Sequence, residues 1–189
     1  MLLNHKLINV WDPYVRMFHW ALVTSFFVAY LTEFDVLSLH NSAGYVVCIL
    51  LLFRVYWGFF GPRYAKFSDF TYSPKAVLMY LSALVHRDAK RFKGHNPAGG
   101  AMVLAFLIML ALTCISGLVL YGLEGAAGPL AFLHGRFPSE VDDWFEEIHT
   151  LLSNAVTVMI VVHVIGVVWS CFLHRENLIK SMINGKKRT

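Results

Sequence analysis

The chain has 189 residues, of which 57% are hydrophobic and only 15% charged, with a formal net charge of +4. Soluble domains usually carry about 25% charged residues, so this composition excludes an ordinary water-soluble fold. The positive charge alone would suit a nucleic-acid partner, but its segregation along the chain, described below, argues for a membrane surface instead.

A helix needs about 20 mostly apolar residues to cross the hydrocarbon core. Four stretches meet that need: roughly 15–34, 41–60, 99–122 and 148–173. Met1–Asp12 is mixed in character, and no small-residue cleavage site follows the first apolar run, so the first helix is expected to stay in the mature protein. Asp12-Pro13 reads as a helix cap followed by proline at the first helical position. A short acidic turn then leads to a second helix starting near His40 and ending around Gly58–Gly61, before Pro62. Residues 63–72 read as a loop. Residues 73–91 are too polar to span, and Val77, Leu78, Leu81, Leu84 and Val85 mark one face of an amphipathic helix lying on the membrane surface. The turn Gly94–Gly100 opens the third span. Residues 123–145 form a loop with room for a short helix, and the fourth helix begins near Asp142 and continues to about His174. The expected architecture is all-α: a single transmembrane domain over residues 1–189, built as a four-helix bundle with one interfacial helix between helices two and three.

Placing the N-terminus, the segment between spans two and three and the C-terminus on one side puts 15 of the 16 Lys and Arg residues there. Arg136 is the exception. Its side also carries Glu33, Asp35, Glu124, Glu140, Asp142, Asp143, Glu146 and Glu147. The positive-inside rule assigns the basic side, with both termini, to the cytoplasm. Its runs Arg87–Lys93 and Lys186–Arg188 then meet anionic lipid headgroups. In a bacterium the protein is a multi-pass component of the inner membrane, with the acidic loops in the periplasm.

Ionisable groups inside a span are rare and point to function. His19 and His163 lie within apolar runs, His40 opens the second span, and His149 lies early in the fourth. His149 and His163 are 14 residues apart. That spacing returns them to one helix face within about 40°, separated by about 21 Å along the axis. Antiparallel spans put His19 at the depth of His163 and His40 at the depth of His149. Two imidazoles at each of two depths suit two planar macrocycles clamped between helices, each a b-type haem with both axial positions filled. Zinc would want about four ligands at one point. Non-redox roles for the histidines, in transport or helix packing, remain open. His5, His86, His134 and His174 read as solvated or headgroup-facing. Cys48, Cys114 and Cys171 sit in apolar runs as small hydrophobes, and the absence of a C-x-x-C-H motif excludes covalent c-type attachment.

The stretch Val10-Trp11-Asp12-Pro13-Tyr14-Val15-Arg16-Met17-Phe18-His19-Trp20, His40 with Gly44, Arg54 with Trp57-Gly58, the Gly94–Gly100 turn and the His149/His163 pair together resemble the bacterial di-haem cytochrome b family. That family includes the cytochrome b subunits of nickel–iron hydrogenases, the gamma subunit of formate dehydrogenase and a superoxide oxidase. The resemblance covers nearly the whole chain. It implies four helices, haem ligands from helices one, two and four, and electron exchange with a membrane quinone. It also implies that Arg16 and Arg54 lie near the cytoplasmic haem, where arginine can bind propionates bidentately; a snorkelling role at helix ends is the alternative. Gly44 and Gly166 would give a porphyrin room against the helices, or serve close helix packing. By comparison with the formate dehydrogenase relatives, His95, Asn96 and Gly99 form the candidate quinone contact. The amide of Asn96 would donate to a carbonyl and His95 would carry a proton; the alternative is a capped, glycine-rich turn.

Three functions follow as candidates. The first is an electron carrier between quinone and a periplasmic partner, either a c-type cytochrome or a dehydrogenase or hydrogenase subunit. The second is a stand-alone superoxide:quinone oxidoreductase. The third is a non-redox membrane protein. Whether the chain is an enzyme or an electron-transfer subunit is left open at this stage, as is oligomerisation. The acidic loops favour docking of a basic protein over capture of an anion.

Overall fold

The computed structural model describes residues 7–33 and 35–188; His5 lies outside them. In chain order the elements are strand β1 (Leu7–Asn9) and helices α1 (Pro13–Leu31), α2 (Leu37–Phe60), α3 (Phe67–Phe70), α4 (Pro74–Val85), α5 (Pro97–Leu123), α6 (Ser139–His174) and α7 (Leu178–Asn184). Strand β2 (Lys186–Arg188) closes the series.

The long helices start where the sequence supplies caps. The Asp12 carboxylate accepts from the backbone N–H of Tyr14 (3.0 Å) and Val15 (3.1 Å), satisfying two donors that a helix start leaves open. Asn96 caps α5 by accepting from Gly99 N (2.7 Å). Glu140 and Asp142 stand in the first turn of α6, where negative charge suits the helix dipole.

Among the described residues, α2, α5 and α6 are long and apolar enough to cross a membrane. Helix α1 has 19 residues, but Pro13, Tyr14, Arg16 and His19 in its first two turns make it less apolar. Large side chains such as Leu52 (73% exposed), Leu151 (69%) and Phe172 (76%) point away from the protein. Water-soluble proteins rarely leave apolar surface bare on this scale, whereas lipid is a good solvent for it.

Several expectations needed trimming. The amphipathic segment is helical only over Pro74–Val85, capped by the Ser73 hydroxyl. The supposed loop 63–72 contains a 3-10 turn (Arg63–Ala65) and the single turn α3. The architecture is not purely helical. Strands β1 and β2 pair antiparallel, with Leu7 opposite Arg188 and Asn9 opposite Lys186. Three residues on each strand are too few for any pattern in the sequence to announce, and their partners lie at opposite ends of the chain.

The chain divides into two compact units. The first comprises residues 1–21, 52–105 and 161–189, and the second residues 22–51 and 106–160. The second unit has a core of Phe26, Val47, Leu51, Leu110 and Val156. The first is tied together by polar contacts around its termini. Glu176, almost fully buried, accepts from Arg91 (2.9 Å) and Arg188 N (3.3 Å) and pairs with Lys187 (3.5 Å). Lys187 also donates to Phe92 O (3.1 Å). Val10 N and Trp11 N donate to Gly185 O at 2.8 and 3.1 Å.

Candidate haem sites

In the second unit, His40 of α2 and His149 of α6 face each other with ring centroids 6.0 Å apart and planes at 75°. They line an open cleft together with Gly44, Thr113 and Gly117. A metal bonded to two imidazole nitrogens at about 2.0–2.1 Å each holds the ring centroids roughly 6 Å apart.

The tautomers can be read from the acceptors. His40 Nδ1 lies 2.9 Å from Ala29 O. His149 Nδ1 lies 3.0 Å from both Thr113 O and Ser116 Oγ. A carbonyl oxygen only accepts, so each Nδ1 carries the proton and each Nε2 keeps its lone pair. That is the state a metal-binding histidine needs, with the other nitrogen tied down. Beside these rings, a side chain added at Gly44 would meet nothing within 4 Å, which leaves the open face a macrocycle requires. The free thiols of Cys48 and Cys114 also face the cleft.

In the first unit, His19 of α1 and His163 of α6 lie within electrostatic reach of each other. His19 Nδ1 is buried and has no hydrogen-bond partner among the described residues. Gly166, one turn beyond His163, likewise faces open space. Arg54 is 2% exposed, and its Nη1 has no partner among the described residues. Its guanidinium lies over the rings of Phe67 (5.1 Å) and Phe70 (5.6 Å). These contacts favour the cation but leave a donor unmet. Phe67 reaches this position because Gly58 has no side chain: a Cβ there would stand 2.2 Å from the Phe67 ring. Arg16 is only partly available, because its Nη1 donates to Ile183 O while its Nε is buried without a partner among the described residues. A buried guanidinium and a second, half-buried one with open N–H positions suit an anionic group such as a carboxylate.

His95 packs between the rings of Trp11 and Phe70, with each centroid 4.6 Å away. Burial and the charges of Arg54 and Lys187 push its pKa down to about 3, with His163 adding to the shift. The ring is therefore neutral at physiological pH, and its Nδ1 is buried with no partner among the described residues. Asn96 spends its oxygen on the α5 cap, and a Cβ at Gly99 would approach that oxygen to 3.2 Å.

The remaining histidines divide. His86 and His134 are exposed, as expected. His174 is half-buried, with Nε2 unpartnered among the described residues, so it is not the solvated side chain expected; Glu176, Lys187 and Arg91 lie within electrostatic reach of it. On the acidic side, burial raises the pKa of Glu124, and the nearby Glu146, Asp142 and Asp143 raise it further.

The family model described as "Prokaryotic cytochrome b561" matches residues 10–185. The chain belongs to the prokaryotic cytochrome b561 family. A cytochrome b carries b-type haem, and membership together with the three membrane-capable helices makes this chain a membrane protein. Several relatives are named as B-type cytochrome subunits. A protein of Bradyrhizobium diazoefficiens named "Probable Ni/Fe-hydrogenase B-type cytochrome subunit" is 30% identical over 164 residues, covering 79% of this chain and 65% of its own length. The protein of the same name from Rhizobium leguminosarum bv. viciae is 26% identical over 220 residues, covering 98% and 90%. An Escherichia coli K12 "Probable Ni/Fe-hydrogenase 1 B-type cytochrome subunit" is 23% identical over 217 residues, covering 93% and 88%.

Sequence reasoning missed the contribution of the third span to this cytochrome's second-unit site. Thr113, Ser116 and Gly117 recur at helical spacing on one face of an otherwise apolar run, and that polar stripe was the available signal.

Proposed function

We propose that the chain is the membrane electron-transfer subunit of a respiratory complex and holds two non-covalent b haems. His40 and His149 hold one through their free Nε2 atoms, and His19 and His163 hold the other. Each haem, when bound, supplies a one-electron couple of iron. The observation that carries this reading is the His40–His149 pair: facing rings 6.0 Å apart, each with Nδ1 tied to a backbone carbonyl.

The chain's own residues fit these roles. The carbonyls of Ala29 and Thr113 keep the two Nε2 atoms deprotonated. Arg54 and the Nε of Arg16 offer N–H groups to the propionates of the other haem, and Phe67 and Phe70 shield Arg54 from water. Helix α1 serves as the fourth span, and α4 lies at the cytoplasmic interface with both termini on that side. Quinone meets the chain at the turn carrying His95, Asn96 and Gly99, where the buried Nδ1 of His95 lacks a partner. The relatives' names point to a hydrogenase as the periplasmic partner. The acidic cluster around Glu124 offers such a partner a surface complementary to lysine and arginine.

The test is a redox-monitored visible spectrum of the purified protein with a haem assay. Two haems per chain titrating as separate b-type centres are expected. A colourless protein, or a single haem per chain, would overturn the two-site reading.

A further inference from the structure

The cleft in the second unit is shaped by more than its two histidines. On α5, three consecutive features converge on His149. The Thr113 carbonyl and the Ser116 hydroxyl both lie 3.0 Å from its Nδ1. Ser116, only 4% exposed, in turn donates to Thr113 O at 2.9 Å. Gly117 stands where a Cβ would come within 2.8 Å of His149 Cε1 and 3.1 Å of its Nδ1.

The directions of these bonds follow from the chemistry. Ser116 has one proton, and it goes to the Thr113 carbonyl. The lone pairs of Ser116 Oγ are then the only groups it can turn toward His149, so the imidazole N–H is shared between two acceptors. In the alternative tautomer the hydroxyl could turn its proton to a bare Nδ1, but that nitrogen would then face the Thr113 carbonyl at 3.0 Å with no proton between them. Gly117 supplies the clearance that lets the ring lie flat against α5. Helix α5 carries no ligand itself, yet it fixes both the tautomer and the plane of one.

We propose that Ser116 and Gly117 are positioning residues for His149: Ser116 holds Nδ1 protonated and sharpens the donor strength of Nε2, and Gly117 sets the ring's orientation. This rests on the haem reading given above. A hydrogen-bonded Nδ1–H makes an imidazole a stronger donor to its metal, and loss of such a partner typically weakens metal binding by about 10–100-fold. A stronger donor favours the oxidised iron, so Ser116 lowers the potential of this haem. Its counterpart on α2 is simpler, since His40 Nδ1 meets a backbone carbonyl alone among the described residues.

The full-length protein, purified in detergent with its haem, decides the matter through four variants: Ser116→Ala, Ser116→Thr, Gly117→Val and His149→Ala. Ser116→Ala is expected to keep both haems at saturating supply, to raise the potential of one centre, to alter that centre's low-spin electron paramagnetic resonance signal, and to bind that haem about 10–100-fold more weakly. Ser116→Thr, which keeps the hydroxyl, is expected to restore all three. Gly117→Val is expected to displace the ring and lose the same haem while the other stays. Unchanged potentials and signals in Ser116→Ala would overturn the proposal, as would a uniform change in both haems, which marks a packing defect. His149→Ala separates the layers. If it keeps both haems, the ligand assignment itself falls; if it loses one and Ser116→Ala is silent, only the positioning role falls.

Discussion

In the second unit, His40 and His149 donate from Nδ1 to groups of the helices themselves, and the cleft between them carries no arginine or lysine. In the first unit, His19 Nδ1 has no such anchor among the described residues, and the surroundings supply the buried Arg54 and the half-buried Arg16 instead. One site anchors its imidazoles to the helices, in a cleft that Glu33 also lines. The other is arranged around unmet positive charge. An anchored imidazole donates more strongly and favours oxidised iron, while nearby cations favour the reduced, less positive state. Under the proposed two-haem reading, the two sites would therefore differ in potential, with the higher one beside Arg54.

The largest effects that sharpen this contrast come from the ligands. His163→Ala and His40→Ala should each abolish one haem, leaving one centre in a redox titration, and the surviving centres should differ. Loss of the same centre from both variants would break the pairing.

Arg54→Leu should act on the first unit alone. A hydrogen bond to a charged group is worth about 1.5–3 kcal/mol, so haem binding there should weaken by roughly 10–100-fold, with a lowered potential for that centre. An equal shift at both centres in the titration would erase the electrostatic distinction drawn above.

Glu176→Gln tests the clamp that closes the first unit. Burial pushes the Glu176 carboxyl up, but the Arg91 hydrogen bonds and the charge of Lys187 outweigh it and hold its pKa below the usual value of 4.5. Because the folded value is depressed, the stabilisation is fully present above the unfolded value and is lost as pH falls through the folded one. Amide exchange in β1 and β2 should accelerate in the wild type as pH drops below about 4.5, after correction for intrinsic rates. The variant should show faster exchange at all pH values with that step gone. The cost is about 2 kcal/mol, below the 3–5 kcal/mol of a fully buried pair because Arg91 is partly solvated.

The smallest effect is expected from Asp12→Ala. It removes a helix cap worth about 1 kcal/mol and the acceptor for Trp57 Nε1 at 3.2 Å. Thermal melting followed at the two haem bands should show earlier loss of the first-unit centre, with the second following unchanged.

Much of this protein was legible in one dimension. The apolar runs, their caps at Asp12 and the Gly94–Gly100 turn, the charge asymmetry and the 14-residue spacing of His149 and His163 are local or periodic signals, and helices express such signals directly. The His40–His149 approach followed from them, because antiparallel helices bring matching depths together. The tertiary structure alone decided what surrounds the ligands. The β1–β2 pairing, the Glu176 clamp and the return of Ile183 onto Arg16 join residues from opposite ends of the chain. The tautomers of His40 and His149 depend on which carbonyls stand opposite, and a sequence carries no record of a carbonyl's direction. Histidines in apolar runs marked candidate ligands; only packing against Thr113 and Ser116 decided which nitrogen of His149 carries the proton.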